Sequence, residues 1–145
     1  MLFTDEYFMK QAIIEAKKAL EAGEVPVGAV IVANNSILAR AHNLTETLND
    51  VTAHAEMQAI TAAAQNIGGK YLLDCTLYVT LEPCGMCAGA LAWSQISRIV
   101  YGASDEKRGY GGINRQMIHP KTEVVPGIMA TECSEMLIEF FKNKR

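Results

Sequence analysis

Leu77-Tyr78-Val79-Thr80-Leu81-Glu82-Pro83-Cys84-Gly85-Met86-Cys87-Ala88-Gly89-Ala90-Leu91 reads as a strand, a sharp turn and a helix that opens on Cys-x-x-Cys. Leu77 to Leu81 mixes β-branched, aromatic and apolar residues, as a buried strand does. Pro83 cannot continue a strand ladder but suits the entry to a helix. Cys84 and Cys87 are three apart, so in a first helical turn their sulfurs share one face. The positive end of a helix favours thiolate over thiol. Three chemistries fit this stretch taken alone: a dithiol redox pair, half of a four-ligand structural zinc site, or part of a catalytic zinc site with an open position.

Composition narrows the setting. The chain of 145 residues is expected to be a single domain, 1–145, long enough to bury a core. Half of its residues are hydrophobic and 20% are charged, the balance of a soluble globular protein. No apolar run is long enough to span a bilayer, so no membrane partner is expected. Four cysteines without a secretory signal point to metal or redox chemistry in a cytoplasmic setting rather than a disulfide framework. The net charge of −3 argues against a generally basic nucleic-acid coat, though not against a local basic patch.

Outward from the central stretch, helices and strands alternate. Thr4 is placed to cap a helix that opens on Asp5 and Glu6 and stops at Gly23. Val27 to Ala33 and Ile37-Leu38 flank Asn34-Asn35 and form a hairpin. A polar loop from His42 to Val51 follows. Thr52 is placed to cap a second helix, Ala53 to Asn66, ended by Gly68-Gly69. Beyond the central helix, Arg98 to Gly102 is a strand. A Gly-rich loop, Ala103 to Gly112, carries Lys107, Arg108 and Tyr110, types suited to phosphate and base contact or simply to a solvated surface. Ile113 to Ile118 is expected as a short helix, Glu123 to Val125 as a strand and Thr131 to Lys142 as a last helix. On that helix Cys133, Leu137 and Phe141 are expected to share one face. The whole implies an α/β fold: a three-layer α/β/α sandwich with a mixed five-stranded sheet.

The second helix opens on His54-Ala55-Glu56. Together, His54, Cys84 and Cys87 would be helix-start residues at neighbouring sheet ends, where open α/β sheets build sites. Two thiolates and a neutral imidazole neutralise one zinc ion and leave one open tetrahedral position. Water bound there has its pKa lowered toward ~7, and Glu56 is the natural carrier of its proton to a ring nitrogen and then to leaving ammonia. Residues i and i+2 do not share a helix face, so His54 and Glu56 serve together only if the metal sits off the helix end.

His-x-Glu followed by Pro-Cys-x-x-Cys is the known signature of zinc-dependent nucleobase deaminases. Over nearly its whole length the chain resembles, within that superfamily, the bacterial tRNA-specific adenosine deaminases. The resemblance includes Gly23 to Val30, Ala41-His42-Asn43, Thr52 to Glu56, Leu77 to Ala90, Tyr101-Gly102-Ala103 and Phe140-Phe141. It implies a cytidine-deaminase-like fold, one Zn2+ per chain held by His54, Cys84 and Cys87, and Glu56 as proton shuttle. It further implies Asn43 hydrogen-bonded to the target base, and Val27 and Leu81 lining the pocket. Asp105 and Lys107 would hold neighbouring nucleotides, with Phe140 and Lys142 against the RNA stem. The implied partners are a tRNA anticodon stem-loop, whose wobble adenosine becomes inosine, and a second copy packed on Ala88 to Gln95.

Other functions remain in view from the residues. A small-molecule deaminase of guanine, cytosine or a cytidine derivative would share the zinc and glutamate constellation. A Cys84–Cys87 oxidoreductase would need neither zinc nor Glu56. A structural zinc site would need a fourth ligand from His42, His119, Cys75 or Cys133.

Overall fold

The computed structural model describes residues 2–144. The first helix, α1 (Asp5–Glu21), starts where the Thr4 hydroxyl accepts the Tyr7 N–H at 3.1 Å. Strands β1 (Gly28–Ala33) and β2 (Ser36–His42) form the expected hairpin. Its two turn residues, Asn34 and Asn35, have φ of 50° and 62°, the left-handed geometry a two-residue type I′ turn demands. After them come α2 (Ala55–Ile67), β3 (Cys75–Leu81), α3 (Gly85–Ser94), β4 (Arg98–Ala103), β5 (Glu123–Val125) and α4 (Ala130–Asn143).

The sheet order is β2-β1-β3-β4-β5. β1 runs antiparallel to both β2 and β3, while β3, β4 and β5 are parallel. Strand alternation divides the core into two layers. Ala29, Ile31, Leu77, Val79 and Ile99 pack with Ala55, Ala59 and Ala63 of α2 and Ala88 and Leu91 of α3. Val30, Val32, Tyr78 and Val100 face the other way, onto Phe8, Met9, Ala12 and Ile13 of α1 and Cys133 of α4. The result is the three-layer sandwich with a mixed sheet. No helix among the described residues is long and apolar enough to cross a membrane.

Several boundaries differ from the sequence reading, each for a local reason. Thr52 does not cap α2, because its hydroxyl and N–H both bond to Asp50 Oδ1, at 2.7 and 2.8 Å. The helix starts later, with His54 as its N-cap. The segment expected as one short helix is two 3-10 turns, Tyr110–Gly112 and Arg115–Met117. On α4, Phe141 does not share the inner face: it is 51% exposed, whereas Cys133 and Phe140 are buried. At 3.6 residues per turn, eight residues from Cys133 overshoot by about 80°, while seven fall only about 20° short.

Gly28 sets the distance between α1 and the sheet. A Cβ there would overlap the Ala12 carbonyl and the Ala16 N–H of α1, which are backbone atoms that cannot swing away. Gly28→Ala is therefore expected to destabilise the fold by about 3 kcal/mol, the upper end for overpacking. Urea denaturation at constant zinc checks this; a loss below about 1 kcal/mol would mean α1 can slide on the sheet.

Candidate active site

The carboxyl end of β3 and the starts of α2 and α3 converge on one point. His54 and Cys84 are both N-cap residues with extended backbones, φ/ψ of −71°/155° and −73°/174°. Neither side chain caps its own helix, which leaves both free to point at a common centre. His54 precedes the first helical residue, so the i, i+2 separation that keeps two helical side chains apart does not bind it to Glu56. Glu56 follows in the first turn of α2 and is buried.

The donor geometry fits zinc. His54 Nδ1 lies 3.6 Å from Cys84 Sγ and 3.5 Å from Cys87 Sγ. Bond lengths for zinc to nitrogen and to sulfur at a tetrahedral angle require a nitrogen–sulfur separation of roughly 3.6 Å. No fourth protein donor joins these three among the described residues. Cys75 and Cys133 are buried elsewhere, His42 faces Glu15, and His119 accepts the Lys121 N–H. Three ligands suit an open rather than a closed site.

Electrostatics agree with the geometry. The hydrogen bond from the Cys87 thiol, opposed by burial and reinforced by His54, holds Cys84 at about 4. The same hydrogen bond, together with burial, pushes Cys87 far up. The two sulfurs on their own thus share one proton, and a divalent cation is what makes both thiolates. Burial pushes the Glu56 carboxyl up to about 7, against the pull of its own backbone N–H and of His54. An acid poised near neutrality can both donate and accept a proton there.

His54, Glu56 and Cys84 line a cavity of about 380 Å3. Val25, Val27, Asn43 and Thr45 line it as well, as do Leu81, Glu82, Asp105 and Arg108. Asn43 is buried; its Nδ2 donates to the Val25 carbonyl at 3.5 Å and its Oδ1 accepts the Thr45 N–H at 3.4 Å. The buried Glu82 carboxylate accepts the Asp105 N–H at 3.0 Å and the Gly111 N–H at 2.9 Å. Gly109 lies so close to that carboxylate that any Cβ would overlap it. The Tyr110 N–H completes the anchor on the Pro83 carbonyl at 2.9 Å, beside the metal-ligating turn.

The structure brings together His54, Glu56, Cys84, Cys87, Asn43, Val27, Leu81 and Asp105. Asp105 holds its own loop, its Oδ1 accepting the N–H groups of Lys107 and Arg108 at 3.1 and 3.0 Å. Lys107 does not line the cavity; Arg108 does. Phe140 and Lys142 lie outside it as well, and Phe140 is buried in a groove between α1 and α4. Sequence reading missed Glu82, although it stands between the strand end and the Cys-x-x-Cys. A carboxylate next to Leu81 at a sheet end was the available signal.

Comparisons place this geometry among known proteins. Residues 3–103 match the model of the cytidine and deoxycytidylate deaminase zinc-binding region. The tRNA-specific adenosine deaminase of Bacillus subtilis (strain 168) is 49% identical over 146 residues, covering 97% of this chain and 91% of that protein. The tRNA-specific adenosine deaminase of Aquifex aeolicus (strain VF5) is 47% identical over 147 residues, covering 97% and 95%. A solved structure from a study of A-to-I editing by tRNA:A34 deaminases at the wobble position of transfer RNA is similar with a TM-score of 0.84 and 42% identity. It is matched over 90% of this chain and 99% of that one.

Proposed function

Because the chain belongs to the cytidine and deoxycytidylate deaminase zinc-binding family, we propose that it converts the wobble adenosine of a tRNA anticodon loop to inosine by hydrolysis. The observation that carries the chemistry is buried Glu56 beside the His54, Cys84 and Cys87 donors in a base-sized cavity. The RNA substrate rests on the relatives whose names specify tRNA.

His54, Cys84 and Cys87 would hold a zinc ion, which would act as a Lewis acid and lower the pKa of water toward neutrality. Glu56 carries the protons. Its carboxylate takes one from the attacking water and delivers it to N1 of the adenine ring. A second transfer goes to the amino group at C6, which departs as ammonia while the C6–O bond remains. Water and adenosine thus become inosine and ammonia. Asn43 holds the base by its amide, and Val27 and Leu81 bound its faces. Closing those apolar walls on a base excludes bulk water from the reacting carbon.

Residues outside the cavity suit a substrate longer than a base. Lys107 and Lys142 are exposed and free to meet phosphates. Phe140, being buried, supports α4 rather than meeting RNA directly. The protein acts as one deaminase domain with one zinc per chain, in the cytoplasm where tRNA is. It works as a homodimer: Met86 (38% exposed) and Trp93 (83% exposed) stand two turns apart on one face of α3, apolar side chains suited to a second copy.

Ammonia release and product analysis test the reading with zinc-loaded protein. An adenosine-containing anticodon stem-loop is compared with guanine, cytosine, cytidine and adenosine. Inosine formed only in the RNA is the expected result. Turnover of a free base with the stem-loop untouched would overturn the tRNA assignment and leave a small-molecule deaminase.

A further inference from the structure

Glu24 takes no part in the chemistry above, yet its side chain is fully buried. No cation pairs with it among the described residues. It is satisfied entirely by neutral donors: the Glu46 N–H at 3.0 Å, the Thr47 N–H at 2.6 Å, the Thr47 hydroxyl at 2.7 Å and the Thr45 hydroxyl at 3.5 Å. Burial pushes its carboxyl up, but these four donors outweigh burial and hold it below the usual carboxylate range. Apolar side chains would anchor a loop without desolvating a charge. What a carboxylate adds is direction, because each donor must aim at a lone pair.

The segment it directs carries two residues that line the cavity, Asn43 and Thr45. Val25, next to Glu24, takes the Asn43 amide on its carbonyl, and the Asn43 backbone N–H bonds to the Val27 carbonyl at 3.0 Å. Thr45 closes back on Asn43 Oδ1. Asn43 is thus held from one side by the chain that follows Glu24 and from the other by the loop that Glu24 grips. Val25, Asn43 and Thr45 line the cavity, whereas Glu24 stands behind them.

We propose that Glu24 is a positioning residue: its buried carboxylate fixes the 43–47 segment so that the Asn43 amide meets the target base in a single orientation. The inference rests on the reading of Asn43 as the base-binding residue. Glu24→Gln keeps the size of the side chain but turns an acceptor oxygen into an NH2 that faces N–H donors. A small misplacement of a positioning group costs up to about 100-fold, so kcat/KM is expected to fall about 10- to 100-fold, with zinc content unchanged.

A double-mutant cycle separates positioning from general support. In an Asn43→Ala background, Glu24→Gln should change the single-turnover rate by less than about twofold, because the group it positions is gone. Multiplying effects would mean that Glu24 merely supports the fold, and an Asn43→Ala variant as active as wild type would remove the group it is said to position. Either result overturns the proposal. Should Glu24→Gln fail to fold, Thr47→Val deletes one hydroxyl donor and leaves the backbone bond. It should give a smaller loss that Asn43→Ala likewise absorbs, and a loss that persists in that background is again against the proposal. The cycle is run on whichever substrate the wild-type protein turns over. An untouched stem-loop therefore counts against the tRNA reading, and only the cycle decides about Glu24.

Discussion

Glu56→Ala is expected to lose a factor of about 10² to 10⁴ in turnover while keeping near-stoichiometric zinc. The carboxylate is buried in the cavity, and the other acids lining it, Glu82 and Asp105, accept backbone N–H groups of the 105–111 loop. A factor of that size is ~3–5 kcal/mol of barrier, the range for a lost general acid and base. Glu56→Gln sharpens the comparison, since it preserves shape and removes only the capacity to exchange a proton. Both variants should bind substrate, so kcat rather than KM carries the loss. Elemental analysis and single-turnover rates check the two halves of the statement. A variant that turns over at the wild-type rate would take Glu56 out of the mechanism.

Cys84→Ala should lose the metal and, with it, all measurable activity. Among the described residues it leaves His54 and Cys87 as donors, and two ligands hold zinc far more weakly than three. Mutating residues that merely support a ligand weakens metal affinity about 10- to 100-fold, so deleting a ligand should cost more than that. Zinc content after dialysis is the direct readout. Thermal stability is a second one: the wild-type protein should gain in Tm with added zinc, as any ligand of the folded state demands, and the variant should not. If zinc stays at one per chain in Cys84→Ala, the ligand set is wrong.

Much of this architecture was legible from local pattern. Asn34-Asn35 could only be a tight turn, and Leu77 to Leu91 could only run from a strand into a helix. The His54, Cys84 and Cys87 constellation followed from residue types whose chemistry has few other uses together. What escaped was decided by contacts distant in sequence or by competition nearby. Thr52 looked like a cap, but Asp50, two residues away, was the stronger partner for its hydroxyl. Nothing in the residues adjoining Glu24 or Glu82 marks either acid as buried. Their burial depends on N–H groups 22 to 29 residues further on, which no window of sequence reveals. Phe140 rather than Phe141 turns inward with Cys133, because an eight-residue step does not return to the same side of a helix.

Trp93 is the only tryptophan in the chain. All indole fluorescence therefore originates at one point on α3, at the face where a second copy is expected. Indole emits at longer wavelength in water than against apolar atoms, so the colour of the emission reports whether that face is wet or covered. The protein carries its own unlabelled optical gauge of self-association: on dilution the emission shifts to the red if copies part at α3 and holds still if they meet elsewhere.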